Sequence, residues 1–211
     1  MLPALTLLIA SCSKDRVTGS GSVTTETRSV NNFTGVATSG STDITVLKGD
    51  NFKVEVRGYN NLLPYLETVV ENNVLKVRFK DNTNIRHDNT EVTVTMPSLN
   101  FLSIAGSANI LSTGEFISNG ELSTRISGSG DITLERGSAK TFRAEISGSG
   151  NIQAFGMSVE NAQVKIAGSG NTRVSASGNL NVEIAGSGNV YYKGSPTITA
   201  SVSGSGRVEK Q

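Results

Sequence analysis

Cysteine and histidine each occur once among the 211 residues, tryptophan does not occur, and proline occurs four times. One cysteine, Cys12, excludes an internal disulfide. The one histidine, His87, stands in the charged run Arg86-His87-Asp88 and reads as a solvated loop residue. No Ser/His/Asp arrangement, metal-ligand cluster or phosphate-type glycine loop is present, so no cofactor or metal is implied. Aromatics make up only 5% of the chain, which argues against an enzyme with a deep aromatic pocket. An excess of one charge is also lacking: 19 Lys+Arg stand against 18 Asp+Glu, a net of +1. That balance leaves no electrostatic footprint for nucleic acid or for an anionic membrane surface.

Glycine, in contrast, is abundant at 23 residues, and much of it falls in one phrase written six times. The phrase reads Ile-Ser-Gly-Ser-Gly-Asn-Ile or a close variant, and its first glycine is Gly106, Gly128, Gly148, Gly168, Gly186 and Gly204. The steps between them are 22, 20, 20, 18 and 18 residues. A period near 20 marks a solenoid. Two residues before the first glycine stands Ile or Val in every copy, and apolar or small residues alternate with polar ones on both sides. A period of two means strand, and the glycines mark a corner between two strands. The fold class is therefore all-β: a parallel, single-stranded β-helix of about 20-residue coils, expected to be right-handed, in which only the stack buries the inward faces.

Two outward columns follow from stacking in register. Three residues before the first glycine come Ser103, Arg125, Glu145, Lys165, Glu183 and Ser201. The central four alternate in sign, and a slip of one coil would bring like charges together, so this ladder reads as a register device more than a source of stability. After the corner come Asn109, Asp131, Asn151, Asn171 and Asn189, then Arg207. Asn and Asp suit such turns and form a stacked amide ladder. A calcium row would need converging carboxylates, and Asp131 is the one carboxylate in that series.

The chain opens on an apolar run ending Ile9-Ala10-Ser11-Cys12, too short to span a bilayer and similar to a bacterial lipobox. No Lys or Arg precedes the run, as expected if the start is truncated. Residues 1–11 read as a signal peptide, Cys12 as the lipidation site, and 12–28, rich in Ser, Thr and Gly, as a flexible tether. Residues 29–211 read as one solenoid domain. Within it Ser39-Gly40-Ser41 is a seventh, degenerate corner, 47–97 a β-rich N-terminal cap with a polar loop at 80–90, and 98–211 the repeat coils.

The segment Asn61-Leu-Leu-Pro-Tyr-Leu-Glu-Thr68, the run Asn73-Val-Leu-Lys-Val77 and six in-phase Gly-Ser-Gly corners together resemble the autotransporter-adhesin head GIN domain family of Bacteroidetes-type bacteria. The resemblance runs from about Val30 to Val208 and implies an extracytoplasmic β-solenoid with, by name, a role in adhesion. It supplies no catalytic motif. The expected function is a non-enzymatic lipoprotein of the cell envelope, exposed to the periplasm or the cell surface, that presents its solenoid surface to a glycan or a protein. Tyr191, expected to point outward beside the inward Tyr192, is the candidate ligand contact. The alternative is a structural protein that self-associates through its last coil, as a homodimer meeting at Ile198, Val202 and Val208. A polysaccharide-acting enzyme is a minor third reading.

Overall fold

The computed structural model describes residues 15–211. Among the described residues there is no α-helix, and the chain winds through about six parallel turns. Strand β10 (Phe101–Gly106) turns a corner into β11 (Asn109–Gly128). Then β12 (Asp131–Gly148), β13 (Asn151–Gly168) and β14 (Asn171–Gly186) each wrap one coil, and β15 (Asn189–Gly194), β16 (Thr197–Gly204) and β17 (Arg207–Lys210) complete the stack. Each coil lies parallel on the one before, with the corner glycines in direct register from Gly106 to Gly204.

The corner explains its own sequence. The carbonyl of Gly148 accepts the N–H of Ser169 at 2.9 Å and that of Gly170 at 3.3 Å from the coil above, and the same pair recurs at Gly106, Gly128, Gly168 and Gly186. For this, backbone must lie directly on backbone. Gly168 has φ of +135°, and a Cβ there would collide with the carbonyl oxygen of Gly148; a Cβ at Gly170 would collide with that of Gly150. Serine between them points outward and meets no such constraint.

Inside, Ile104, Ile126, Ile146, Ile166 and Ile184 form one continuous column, each at most 2% exposed. A second runs Ile110, Ile132, Ile152, Thr172, Val190. Thr172 is fully buried and its hydroxyl has no hydrogen-bond partner. The inward parity of each coil breaks after the second column: Ile152 and Ala154 face in, then Met157 and Val159, then Ala162, Val164 and Ile166. These breaks are bends, and coil length changes there: against β13, β14 is three residues shorter between Ala154 and Ser158 and one residue longer between Val159 and Asn161.

The other end of the stack is built from the segment that lacks the repeat. Strands β3 (Gly35–Gly40) and β4 (Asp43–Lys48) form a coil directly below β10 and β11, so Gly40 is the corner beneath Gly106. Below that coil lie β7 (Val74–Phe79) and β9 (Glu91–Met96), still parallel. Two antiparallel strands then seal this end: β6 (Leu66–Glu71) on β7, and β5 (Lys53–Tyr59) on β9. The 47–97 stretch thus supplies both a coil and its seal, and Leu63–Tyr65 forms a single 3-10 turn between them.

One expectation needs correcting. The stretch read as a flexible tether, where it is described, is strand: β1 (Asp15–Thr18) pairs parallel with β8 (Thr83–Arg86), and β2 (Val23–Arg28) pairs antiparallel with β5. Residues Thr83–Arg86 lie in the loop expected over 80–90. Most side chains of β2 are exposed, so no apolar alternation announced it. What holds it is the unpaired outer edge of β5, which any extended segment can satisfy with backbone hydrogen bonds. Cys12 and the signal segment lie outside the described residues.

Candidate functional site

Stacking turns a sequence position into a line along the solenoid axis, with about 4.8 Å between neighbours. On the strand before the corner, the residues two and four before the first glycine point inward, while those three and five before it point out. Two outward lines therefore run side by side. One is Glu145, Lys165, Glu183, Ser201; the other is Arg143, Gln163, Asn181, Thr199. Between them lies a trough of about 440 Å³ over the backbone of Ala144, Val164, Val182 and Ala200. It crosses four coils, or three steps and about 14 Å.

The charge ladder forms in the expected register, Arg125 on Glu145 on Lys165 on Glu183. Its ion pairs join Arg125 to Glu145 at 2.8 Å and Lys165 to Glu183 at 3.1 Å, with none between Glu145 and Lys165. These pairs are half or more exposed on at least one side and contribute little stability. Their consequence for the trough is local neutrality. On the second line, Arg143 pairs with Glu121 at 3.4 Å, leaving Gln163, Asn181 and Thr199 as uncharged hydrogen-bonding groups. That second line was legible as a position five before each glycine that is polar in every copy from Ser123 to Thr199; it was missed because its residues share no charge pattern.

The amide ladder is directional. In each rung the side-chain oxygen accepts both the backbone N–H and the side-chain amide of the next coil: Asp131 from Asn151 at 2.8 and 2.9 Å, Asn151 from Asn171 at 3.2 and 3.0 Å, and Asn171 from Asn189 at 3.1 and 3.0 Å. Arg207 closes it with its backbone N–H on Asn189. Asp43 starts an earlier rung by accepting both groups of Asn109, a member that the sequence pattern did not single out. Asp131 and Asn109 lie in register without such a rung, and the Asp131 carboxylate has no amide to donate for the side-chain half of one. The aspartates are thus the acceptor-only starts of two ladders.

Tyr191 is half-buried, and the guanidinium of Arg173 lies 4.8 Å from its ring centroid. One face of the ring is therefore occupied, which leaves less of it to stack on a sugar than a free outward tyrosine would offer. Tyr191 is in register with Glu209 on the following coil and stands apart from the trough.

Among the described residues no group of three or more His, Cys, Asp or Glu side chains converges as a metal site. A second hollow, about 470 Å³, lies in the cap beside Arg78, Lys80, Asp81 and Asp88. There the Glu67 carboxylate, hydrogen-bonded to Arg78, raises the guanidinium above its ordinary range; nearby the Lys76 ammonium holds the Glu71 carboxyl below its own. Both pairs lie at the surface, the Glu67–Arg78 pair half-buried. His87 sits at a turn with φ of 52°.

A parallel stack of short coils with glycine corners, side-chain ladders and a polar trough along one face defines a β-solenoid of the kind that presents an extended surface. The chain belongs to the family described as "Putative auto-transporter adhesin, head GIN domain", whose model matches residues 32–196. The same architecture is found in a "putative adhesin" from Bacteroides fragilis, with TM-score 0.74 and 20% identity over 92% of this chain and 100% of that one. A "putative adhesin" from Parabacteroides distasonis aligns with TM-score 0.58 and 26% identity, covering 93% and 100%. A third structure, a "putative lipid binding protein" also from Parabacteroides distasonis, aligns with TM-score 0.63 and 23% identity over 93% and 100%. No curated protein matches the chain.

Proposed function

We propose that this chain is a non-enzymatic binding module of the cell envelope that lays an extended, uncharged glycan along the trough between the Gln163–Asn181–Thr199 and Lys165–Glu183–Ser201 lines. The trough itself carries the reading. It is long, shallow and continuous over four coils, its charges are paired off, and the remaining groups are amides and hydroxyls. Such a surface offers many modest hydrogen bonds along a line, which suits a linear polymer better than a small compact ligand. The family name and the names of the structural neighbours support an adhesive role.

Binding of the full chain to immobilised glycans tests this. Asn181→Arg fills the trough and adds a charge at an exposed position without touching the inward columns. It is expected to weaken glycan binding at least about tenfold, or about 1.4 kcal/mol. Binding that Asn181→Arg and Gln163→Arg both leave unchanged, or capture of proteins alone, would rule the trough out as a glycan site.

Attachment through Cys12 belongs to the same reading. The lipobox-like Ile9-Ala10-Ser11-Cys12 places the thiol for acylation, a short stretch ahead of the first described strand. With a complete signal in place, Cys12→Ala is expected to move the protein from the membrane fraction to the soluble fraction. Unchanged partition into detergent would show that Cys12 is not the anchor.

A further inference from the structure

The last coil is exposed where every earlier one is covered. Ile198 stacks on Leu180 and Val202 on Ile184, and those two partners are at most 1% exposed, yet Ile198 is 40% and Val202 42% exposed. Among the described residues no strand pairs with the outer edge of β16 or β17. Two strand edges and the ends of two apolar columns thus lie open together, a surface that soluble proteins cover.

The molecule shows how such a surface is closed, because its other end is closed already. There the parallel ladder stops at β7 on one side of the corner and β9 on the other, and each is covered by an antiparallel strand, β6 and β5. At the far end the equivalent strands are β16, in the column of β10, and β17, in the column of the strands after the corner. A second copy turned over by a two-fold axis perpendicular to the solenoid presents antiparallel strands to both at once. We propose that two chains join end to end in this way, through β16 of each on β17 of the other, with the axis at Ser205.

The residues fit that register. With Ser205 on the axis, Val202 lies opposite the partner's Val208, and both belong to inward columns. Ser203 faces the partner's Arg207 and Ser201 faces the partner's Glu209, so no like charges meet across the seam. Lys210 falls opposite the partner's Ala200 at the strand end, where a long side chain can reach water. Gly204 and Gly206 flank the axis and carry no side chain to hold the two corners apart. Head-to-tail stacking lacks this match, since the opposite end offers antiparallel seal strands and not a further parallel coil. The assembly is therefore closed, a dimer and not a filament.

Analytical ultracentrifugation of the full chain, from low to high micromolar concentration, is expected to show a monomer–dimer equilibrium. Val202→Glu is expected to abolish the dimer without changing the far-ultraviolet circular dichroism. In a Cys12→Ala background, Ser205→Cys is expected to form a disulfide-linked dimer under mild oxidation, while Ser149→Cys at an internal corner is not. This second variant decides the matter if Val202→Glu fails to fold. A chain that stays monomeric throughout overturns the proposal. So does a dimer that survives Val202→Glu, or one in which Ser205→Cys fails to cross-link. Glycan binding is read separately, by Asn181→Arg, so that loss of either reading leaves the other standing.

Discussion

Replacing Ile166 with alanine is expected to lower stability by about 2–5 kcal/mol, and replacing it with aspartate to disrupt the central stack. Ile166 is 1% exposed and lies between Ile146 and Ile184 in a column that runs through the solenoid. Truncation leaves a gap that the coils above and below cannot close, because their separation is set by backbone hydrogen bonds on every face. The same spacing makes Ile146→Ala, at 2% exposure, comparable. The alanine variants measure packing; the aspartate tests direction. A neighbouring column already contains Thr172, whose buried hydroxyl has no partner, so one neutral polar atom is tolerated and a charge is needed for a decisive result. A carboxylate at 166 would have no water and no cation within the column. Denaturant unfolding followed by circular dichroism reads all three variants. An Ile166→Asp protein that stays soluble and unfolds at the wild-type midpoint would show that the column does not face inward.

How much of this was legible in advance depends on whether a residue acts within its own coil or across coils in a repeated phase. The isoleucine column, the glycine corners and the Arg125–Glu145–Lys165–Glu183 register all recur at a fixed offset from a glycine, and repetition makes an offset visible. Asp43 was harder to see. It holds the first rung of an amide ladder, but its corner reads Gly40-Ser41-Thr42, and the next copy of the phrase comes only after the cap. Thr42 shows why that copy drifts. Its position corresponds to the second corner glycine, where a Cβ at Gly150 or Gly170 would strike a carbonyl of the coil below. Beneath Thr42 the next coil leaves into the segment after β7 instead of turning a corner, so a side chain has room there and is fully buried. The strand β2 was illegible for the opposite reason: it answers a need of β5, and its own residues carry no inward face. The trough was partly legible, since both its walls are periodic, but its floor is the backbone at Ala144, Val164, Val182 and Ala200, which no side-chain pattern announces.

The glycines offer a test that separates the two costs of a side chain at the corner. Gly168 has both: φ of +135°, and a Cβ position that overlaps the carbonyl oxygen and carbon of Gly148. Gly40 has only the first. Its φ is +102°, but it is the lowest corner of the stack, and a Cβ there would meet nothing within 4 Å. Gly120 has neither, with no positive φ and only the Ser118 hydroxyl at 3.9 Å from a built Cβ. Alanine at Gly40 is therefore expected to cost about 1–2 kcal/mol, the penalty of placing a Cβ in a left-handed backbone region. Alanine at Gly168 adds to that the separation of two coils, which weakens the hydrogen bonds of Ser169 and Gly170 to Gly148. It is expected to cost at least about 4 kcal/mol, beyond the ordinary range for a single substitution. Alanine at Gly120 is expected to be neutral or to stabilise by up to about 1 kcal/mol, by reducing the freedom of the unfolded chain. The three variants, compared by denaturant midpoint, rank the sites by where each lies in the stack and not by residue type. Equal losses at Gly40 and Gly168 would mean that backbone conformation alone requires the glycine, and that the carbonyl-to-coil contact through the corner is not what holds successive turns in register.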